Sequence, residues 1–365
     1  MLKGKIKHVF PGGNTPQGFF SYYDYIIPSG EATRIFVIKG GPGVGKSTFM
    51  KKIGDVMASR GYDVEFHHCS SDNNSLDGVV IPALRVAFID GTAPHIVDPK
   101  HPGGVDEILH LGDFWDEAKM VANKQAILDC TREISTLFQR AYRVLRAAKS
   151  LYDDWEAVNT DALDPVLANQ KTADLIGEVF GDVGGIGAGK VRKLFASAIT
   201  PEGPVNYLDS VVGTMATRYI VTGEPGTGKA TLLQKVVDTA VAKGLDVEAY
   251  YCPLDPQKVE HVLIPALNVG ITTVCGPHAY KPFDARKTIN MNECLKPRLV
   301  AQWAAEKAFA QSAYLDLFAK AVTYINRAKK LHDVLETYYV PNMDFAGVQK
   351  LWEKTRDRVL AYAQK

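Results

Sequence analysis

Residues 40–47 read Gly40-Gly41-Pro42-Gly43-Val44-Gly45-Lys46-Ser47 and satisfy G-x-x-x-x-G-K-[ST] at every required position. Glycines let the backbone curl so that successive N–H groups point inward at phosphate oxygens, at the positive end of a following helix. The lysine at 46 would reach the β- and γ-phosphates and the hydroxyl at 47 would ligate Mg²⁺, with Thr48 continuing the first helical turn. The expected ligands are a nucleoside triphosphate and Mg²⁺. ATP is the default over GTP, since the chain has no N-K-x-D base-reading motif.

Carboxylates elsewhere fit the same chemistry. Asp90 ends an apolar run, the place of an aspartate that holds Mg²⁺ through water. Asp72 and Asp77 are candidates for a general base toward an acceptor hydroxyl or a water. Asp72 equally suits the N-cap of a short helix through Asn73-Asn74-Ser75. His95 has the chemistry of a γ-phosphate sensor or proton carrier. The triplet His67-His68-Cys69 does not read as a metal site: adjacent strand residues face opposite ways, and no second Cys/His pair completes a zinc set.

Positioning these groups requires strands and helices in alternation. Arg34–Lys39 is a buried-strand run, and Thr48–Met57 places apolar residues at 49, 53, 56 and 57, which is helical spacing. Further strands are expected over Ile6–Phe10, Asp63–His68 and Arg85–Asp90. That alternation predicts an α/β fold with a parallel sheet covered on both faces.

The pattern recurs. Gly223-Glu224-Pro225-Gly226-Thr227-Gly228-Lys229-Ala230-Thr231 follows a second strand, and Lys229 lies 183 positions after Lys46. The same offset pairs Cys69 with Cys252, Asp72 with Asp255, Asp77 with Glu260, Ile81–Leu84 with Ile264–Leu267 and His95 with His278. Flanking matches at offsets of 185 and 180, among them Ala148-Lys149-Ser150-Leu151 with Ala328-Lys329-Lys330-Leu331, extend it over most of the chain. The sequence therefore predicts two tandem units, residues 1–182 and 189–365, joined by the glycine-rich stretch Gly181–Gly189. The second unit loses Ser47 to Ala230 and Asp90 to Thr273, so it is expected to hold phosphate yet handle Mg²⁺ poorly. Because His278 persists there without metal ligands, a structural or binding role for His95 is the better reading.

Behind each unit, apolar residues recur every three or four positions, through Ile127, Cys130, Ile134, Leu137, Ala141, Val144, Ala148 and Leu151, and again through Leu315–Leu331. They predict a long helix after each unit, packed within the chain as in a helical hairpin, with a protein partner as the alternative. The formal net charge of +1 gives no global attraction for nucleic acid or an anionic membrane. No run spans a bilayer, the N-terminus shows no signal-peptide core, and five irregularly spaced cysteines suit reduced thiols in the cytoplasm.

At these loops the chain resembles the P-loop NTPase superfamily. Its duplicated layout, with Cys69-Ser70-Ser71-Asp72, Ser75-Leu76-Asp77 and Ile81-Pro82-Ala83-Leu84, resembles a bacterial family of predicted ATP-binding proteins of unassigned function. The second loop is similar to those of AAA ATPases. Gly91, not glutamate, follows Asp90, and no arginine finger can be named, which argues against a powerful motor. The expected activity is Mg²⁺-dependent ATP hydrolysis in the first unit, with the second structural or regulatory. A kinase that transfers the γ-phosphate to a small molecule, and a switch or scaffold without turnover, are the alternatives.

Overall fold

The computed structural model describes residues 3–93, 96–274 and 284–364. The first half contains β1 (Ile6–Val9), β2 (Gly12–Thr15), β3 (Gly18–Ser21), β4 (Arg34–Lys39), α1 (Lys46–Ser59), β5 (Val64–Cys69), β6 (Asp72–Ile81), β7 (Val86–Asp90), β8 (Asp106–His110), α2 (Glu117–Ala122), α3 (Lys124–Asp161) and α4 (Pro165–Phe180). The second repeats the order as β9 (Val191–Leu194), β10 (Ser197–Thr200), β11 (Gly203–Asn206), β12 (Thr217–Thr222), α5 (Lys229–Ala242), β13 (Val247–Cys252), β14 (Asp255–Ile264), β15 (Val269–Val274), β16 (Lys287–Asn290), α6 (Pro297–Gln302), α7 (Ala304–Tyr339) and α8 (Phe345–Tyr362).

Each half holds a six-stranded sheet, in the order β1-β5-β6-β7-β4-β8 and β9-β13-β14-β15-β12-β16. The sheets are mostly parallel but mixed, because β6 and β14 run against their neighbours. The connection explains the departure from an all-parallel sheet. Only Ser70 and Ser71 separate β5 from β6, and so short a link can return the chain only antiparallel. Asp72 accordingly heads a strand and caps no helix. A second tight link, Pro82–Leu84 with Arg85 at φ 53°, reverses the chain again and restores β7 to the common direction.

The long helices do not fold back on the helices that follow them. Instead α3 and α7 lie antiparallel against each other. The thiol of Cys130 reaches Leu331 O (3.3 Å) at one end, and Lys307 Nζ reaches Asn159 Oδ1 (3.2 Å) at the other. Ala141, Leu145 and Ala148 bury against Tyr314, Phe318, Ala321 and Ile325, the small residues permitting close approach. The apolar stripes seen in the sequence are thus spent on one another.

Antiparallel crossing carries the end of each long helix to the opposite half. Backbone bonds fix the handover: Asp164 N donates to Cys294 O (2.7 Å) and Asp344 N to Phe114 O (2.7 Å). As a result α4 closes the second core, with Leu175, Val179 and Phe180 against Leu232, Val236 and Val237. Reciprocally, α8 closes the first, with Val348, Trp352 and Val359 against Phe49, Met50 and Ile53. A seam near β1 and β9 completes the arrangement. There Phe10 and Phe195 exchange backbone hydrogen bonds (2.9 and 3.0 Å), Arg192 grips Glu65 bidentately (2.9 and 2.6 Å), and Lys7 grips Glu248 (2.9 Å).

Candidate functional site

The glycine loop Gly40–Gly45 joins β4 to α1. Gly43 and Gly45 hold φ of 68° and 96°, conformations costly for any side chain with a Cβ, so the curl depends on glycine there. Val44 is fully buried beneath the loop and anchors it. Lys46, at the start of α1, turns its ammonium back over the loop and donates to Gly40 O (3.0 Å) and Gly41 O (2.8 Å), standing 3.7 Å from Asp90 Oδ2. Asp90 ends β7, and its Oδ1 accepts from Thr92 N (2.9 Å) and the Thr92 hydroxyl. The Ser47 hydroxyl oxygen accepts from Leu76 N (3.0 Å), which ties α1 to β6. Lys46, Ser47 and Asp90 therefore converge at one end of the sheet, while Thr48 is exposed on the first turn of α1.

Asp77 joins them from β6. The register that sets Gly78 opposite Ile89 places residue 77 beside Asp90. It is 3% exposed. Burial, and after it the Asp77 carboxylate, push the Tyr23 hydroxyl and the Cys69 thiol well up. Asp72 stands apart at the start of β6. It accepts from Asn74 N (3.1 Å) and Ser75 Oγ (2.9 Å) and pairs with Lys329 Nζ (3.4 Å) on α7. His95 and His278 lie outside the described residues.

Each loop is roofed by the other half, which no local pattern of residues announces. A Cβ on Gly41 would stand 2.4 Å from the Tyr339 ring, and one on Gly43 would stand 2.7 Å from Val340 and 3.3 Å from Glu336. The second loop is held harder by the end of α3. Asn159 Nδ2 donates to Pro225 O (2.7 Å) and Glu224 Oε2 (3.0 Å), and a Cβ on Gly226 would fall 2.2 Å from Glu156 O. The only signal was the Lys149/Lys329 match: both lysines sit on the long helices and pair with equivalent aspartates, Lys149 with Asp255 (3.5 Å) as Lys329 with Asp72.

In the second loop Gly226 and Gly228 hold φ of 81° and 86°, and Thr227 is buried where Val44 lies in the first, its hydroxyl donating to Glu224 O (2.7 Å). Lys229 Nζ donates to Glu224 O (2.6 Å), as Lys46 does to Gly41 O. A cavity of about 290 Å³ opens beside it, lined by Pro225, Gly226, Gly228, Lys229, Ala230 and Thr231 of the loop, by Lys258, Glu260 and Thr273 of the sheet, and by Tyr152 and Glu156 of α3. Burial pushes the Glu260 carboxyl up to about 7, with Lys229 and the Ser197 hydroxyl pulling the other way.

Among the described residues no group of three His, Cys, Asp or Glu side chains could hold a metal alone. Ser47 and Asp90 supply two hard oxygen donors, which fits Mg²⁺, an ion that completes its shell with water and substrate phosphate. No described helix is long and apolar enough to cross a membrane.

Comparison with known proteins adds one partial likeness. Nucleoside-triphosphatase THEP1 of Sulfurisphaera tokodaii is 38% identical over 45 residues, which is 12% of this chain. That match spans 27% of the relative's length. No family model matches the chain, and no solved structure matches it. Over that short stretch the chain is similar to a nucleoside triphosphatase.

Proposed function

We propose that this chain is a duplicated P-loop protein, with units 1–182 and 189–365, whose Gly40–Ser47 loop binds ATP with Mg²⁺ and hydrolyses it, while the second unit serves structure or regulation. The observation that carries this reading is the convergence of Lys46, Ser47 and Asp90 at the head of α1, with Lys46 3.7 Å from Asp90. The partial likeness to a nucleoside triphosphatase supports it.

In this reading the loop's N–H groups and the N-terminus of α1 face the phosphates. Lys46 leaves the carbonyls of Gly40 and Gly41 for β- and γ-oxygens, a charge-assisted exchange. Ser47 and Asp90 would hold Mg²⁺, which would supply charge neutralisation on the phosphate oxygens. Asp77, beside Asp90 and shielded from water, orients the attacking water or takes its proton. Tyr339 and Val340 roof the loop and exclude bulk water.

The test pairs binding with turnover. Lys46→Ala should abolish most of the thermal stabilisation that Mg-ATP confers. Ser47→Ala and Asp90→Asn should each lower phosphate release by at least about 100-fold, the scale of lost electrostatic stabilisation, while nucleotide binding in EDTA stays measurable. Undiminished stabilisation in Lys46→Ala, or undiminished phosphate release in both metal-ligand variants, would overturn the assignment.

A further inference from the structure

We propose that the cavity at the second glycine loop binds a phosphate or diphosphate group without a divalent cation, Lys258 standing in for the metal. The inference rests on the reading above, in that it takes both loops to be phosphate-binding.

Three differences between the halves carry it. At the 183-residue offset Ser47 becomes Ala230 and Asp90 becomes Thr273, so both groups assigned to the metal are gone. At the same offset Ser75 becomes Lys258. In the first half Ser75 adjoins Leu76, whose N–H reaches the Ser47 hydroxyl, so position 258 borders the corresponding corner of the second site. Losing one carboxylate and gaining one ammonium shifts the formal charge by two positive units, the charge of the ion whose ligands are missing. Lys258 is held at the cavity by Glu156 Oε2 (2.5 Å) from α3 and by Asp255 Oδ2 (3.5 Å) at the start of β14. Lys229, about nine-tenths buried, presents the second cation from the loop. A fixed ammonium cannot be chelated away, and it neutralises charge without an octahedral shell.

Glu260 does not block the site with a full charge. Burial pushes its carboxyl up to about 7, so about half of it stays protonated at neutral pH, with Lys229 and Ser197 opposing that shift. The volume, about 290 Å³, suits phosphate, diphosphate or the phosphate tail of a nucleotide, and the probes below separate these sources.

The experiment uses the full chain carrying Lys46→Ala, which silences the first loop. Inorganic phosphate, pyrophosphate and ADP are titrated by calorimetry in EDTA and again in excess Mg²⁺. At least one should bind at one site per chain in EDTA, and excess Mg²⁺ should leave that affinity unchanged or lower it by complexing the probe, never raise it. Adding Lys258→Ala should weaken that binding at least tenfold, whereas Lys258→Arg should retain it. Adding Ala230→Ser, Thr273→Asp and Lys258→Ser together should make binding Mg²⁺-dependent. No binding by any probe, binding that requires Mg²⁺ with Lys258 present, or undiminished binding in a folded Lys258→Ala protein would overturn the inference. The part of the Mg-ATP stabilisation that Lys46→Ala removes and Lys258→Ala leaves intact reports on the first loop separately, so the two readings can fail independently.

Discussion

Lys46 and Lys229 hold the same place in two loops and keep different company. Lys46 faces Asp90, whereas Lys229 faces Glu260, whose surroundings hold a proton on it up to about 7. Between about 4.5, where an unfolded glutamate loses its proton, and about 7, the folded chain binds more protons than the unfolded one. Stability contributed at this position therefore falls as pH rises through that window and levels off above it. Glu260→Gln removes the penalty, so its advantage should grow between pH 5 and pH 8 toward about 3 kcal/mol. Lys229, Ser197 and His261 (Nε2 3.6 Å from the carboxylate) face the group and stay in place. Urea unfolding at the two pH values decides, and an equal effect at both would sink the argument. Local chemistry of this kind is partly legible in sequence. Lys46, Ser47 and Asp90 stand in a short motif or at a strand end, so type and spacing suffice. Lys258 escaped notice because its meaning lies in a difference between halves and in a cavity.

Helices and strands were harder to read than single residues. The stripe on α3 announces a buried face but not its partner, because periodicity records that a face is covered and not by what. Nothing local to α8 reveals that Trp352 lies in the core beneath α1, some three hundred residues earlier in the chain. Polar Asp72-Asn73-Asn74 likewise disguised the start of β6, whose strand character comes from its two ladders rather than from propensity. The exchange of helices has a measurable sign. Trp352 is 8% exposed, so Trp352→Ala should cost about 3–5 kcal/mol. The first half should weaken with it, read as earlier amide exchange in α1 and β4. A cost below about 1 kcal/mol, or exchange that quickens only in the second half, would contradict this packing.

At the scale of the whole molecule the halves are interlocked twice, by α4 and α8 and by α3 against α7. Residues 181–188 between them are exposed, and their backbone ties to the residue after α5, Gly185 N donating to Lys243 O (2.6 Å). Protease nicking there should leave a particle that still elutes at the 40.0 kDa of the intact chain. A segment limited to 1–182 would carry the bare apolar face of α4 and lack α8 over its own core, so it should be insoluble alone and rescued by co-expression with 189–365. Separation of the nicked pieces under native conditions, or a well-folded monomer of 1–182, would show that the interlock is weaker than its contacts imply. The repeated order of elements was legible from sequence offsets alone. The exchange was not, since a swapped and an unswapped pair share one sequence.

Phe10 and Phe195 bond to each other across the seam as partners do in a symmetric dimer, yet they belong to one polypeptide. Two separate chains, one with Ser47 and one with Ala230, would scatter into like and unlike pairs. Covalent union makes every particle the unlike pair. The Ser47 loop is thereby always paired with the Ala230 loop at fixed one-to-one stoichiometry, without any device for choosing a mate, and each loop keeps the roof that the other half lays over it.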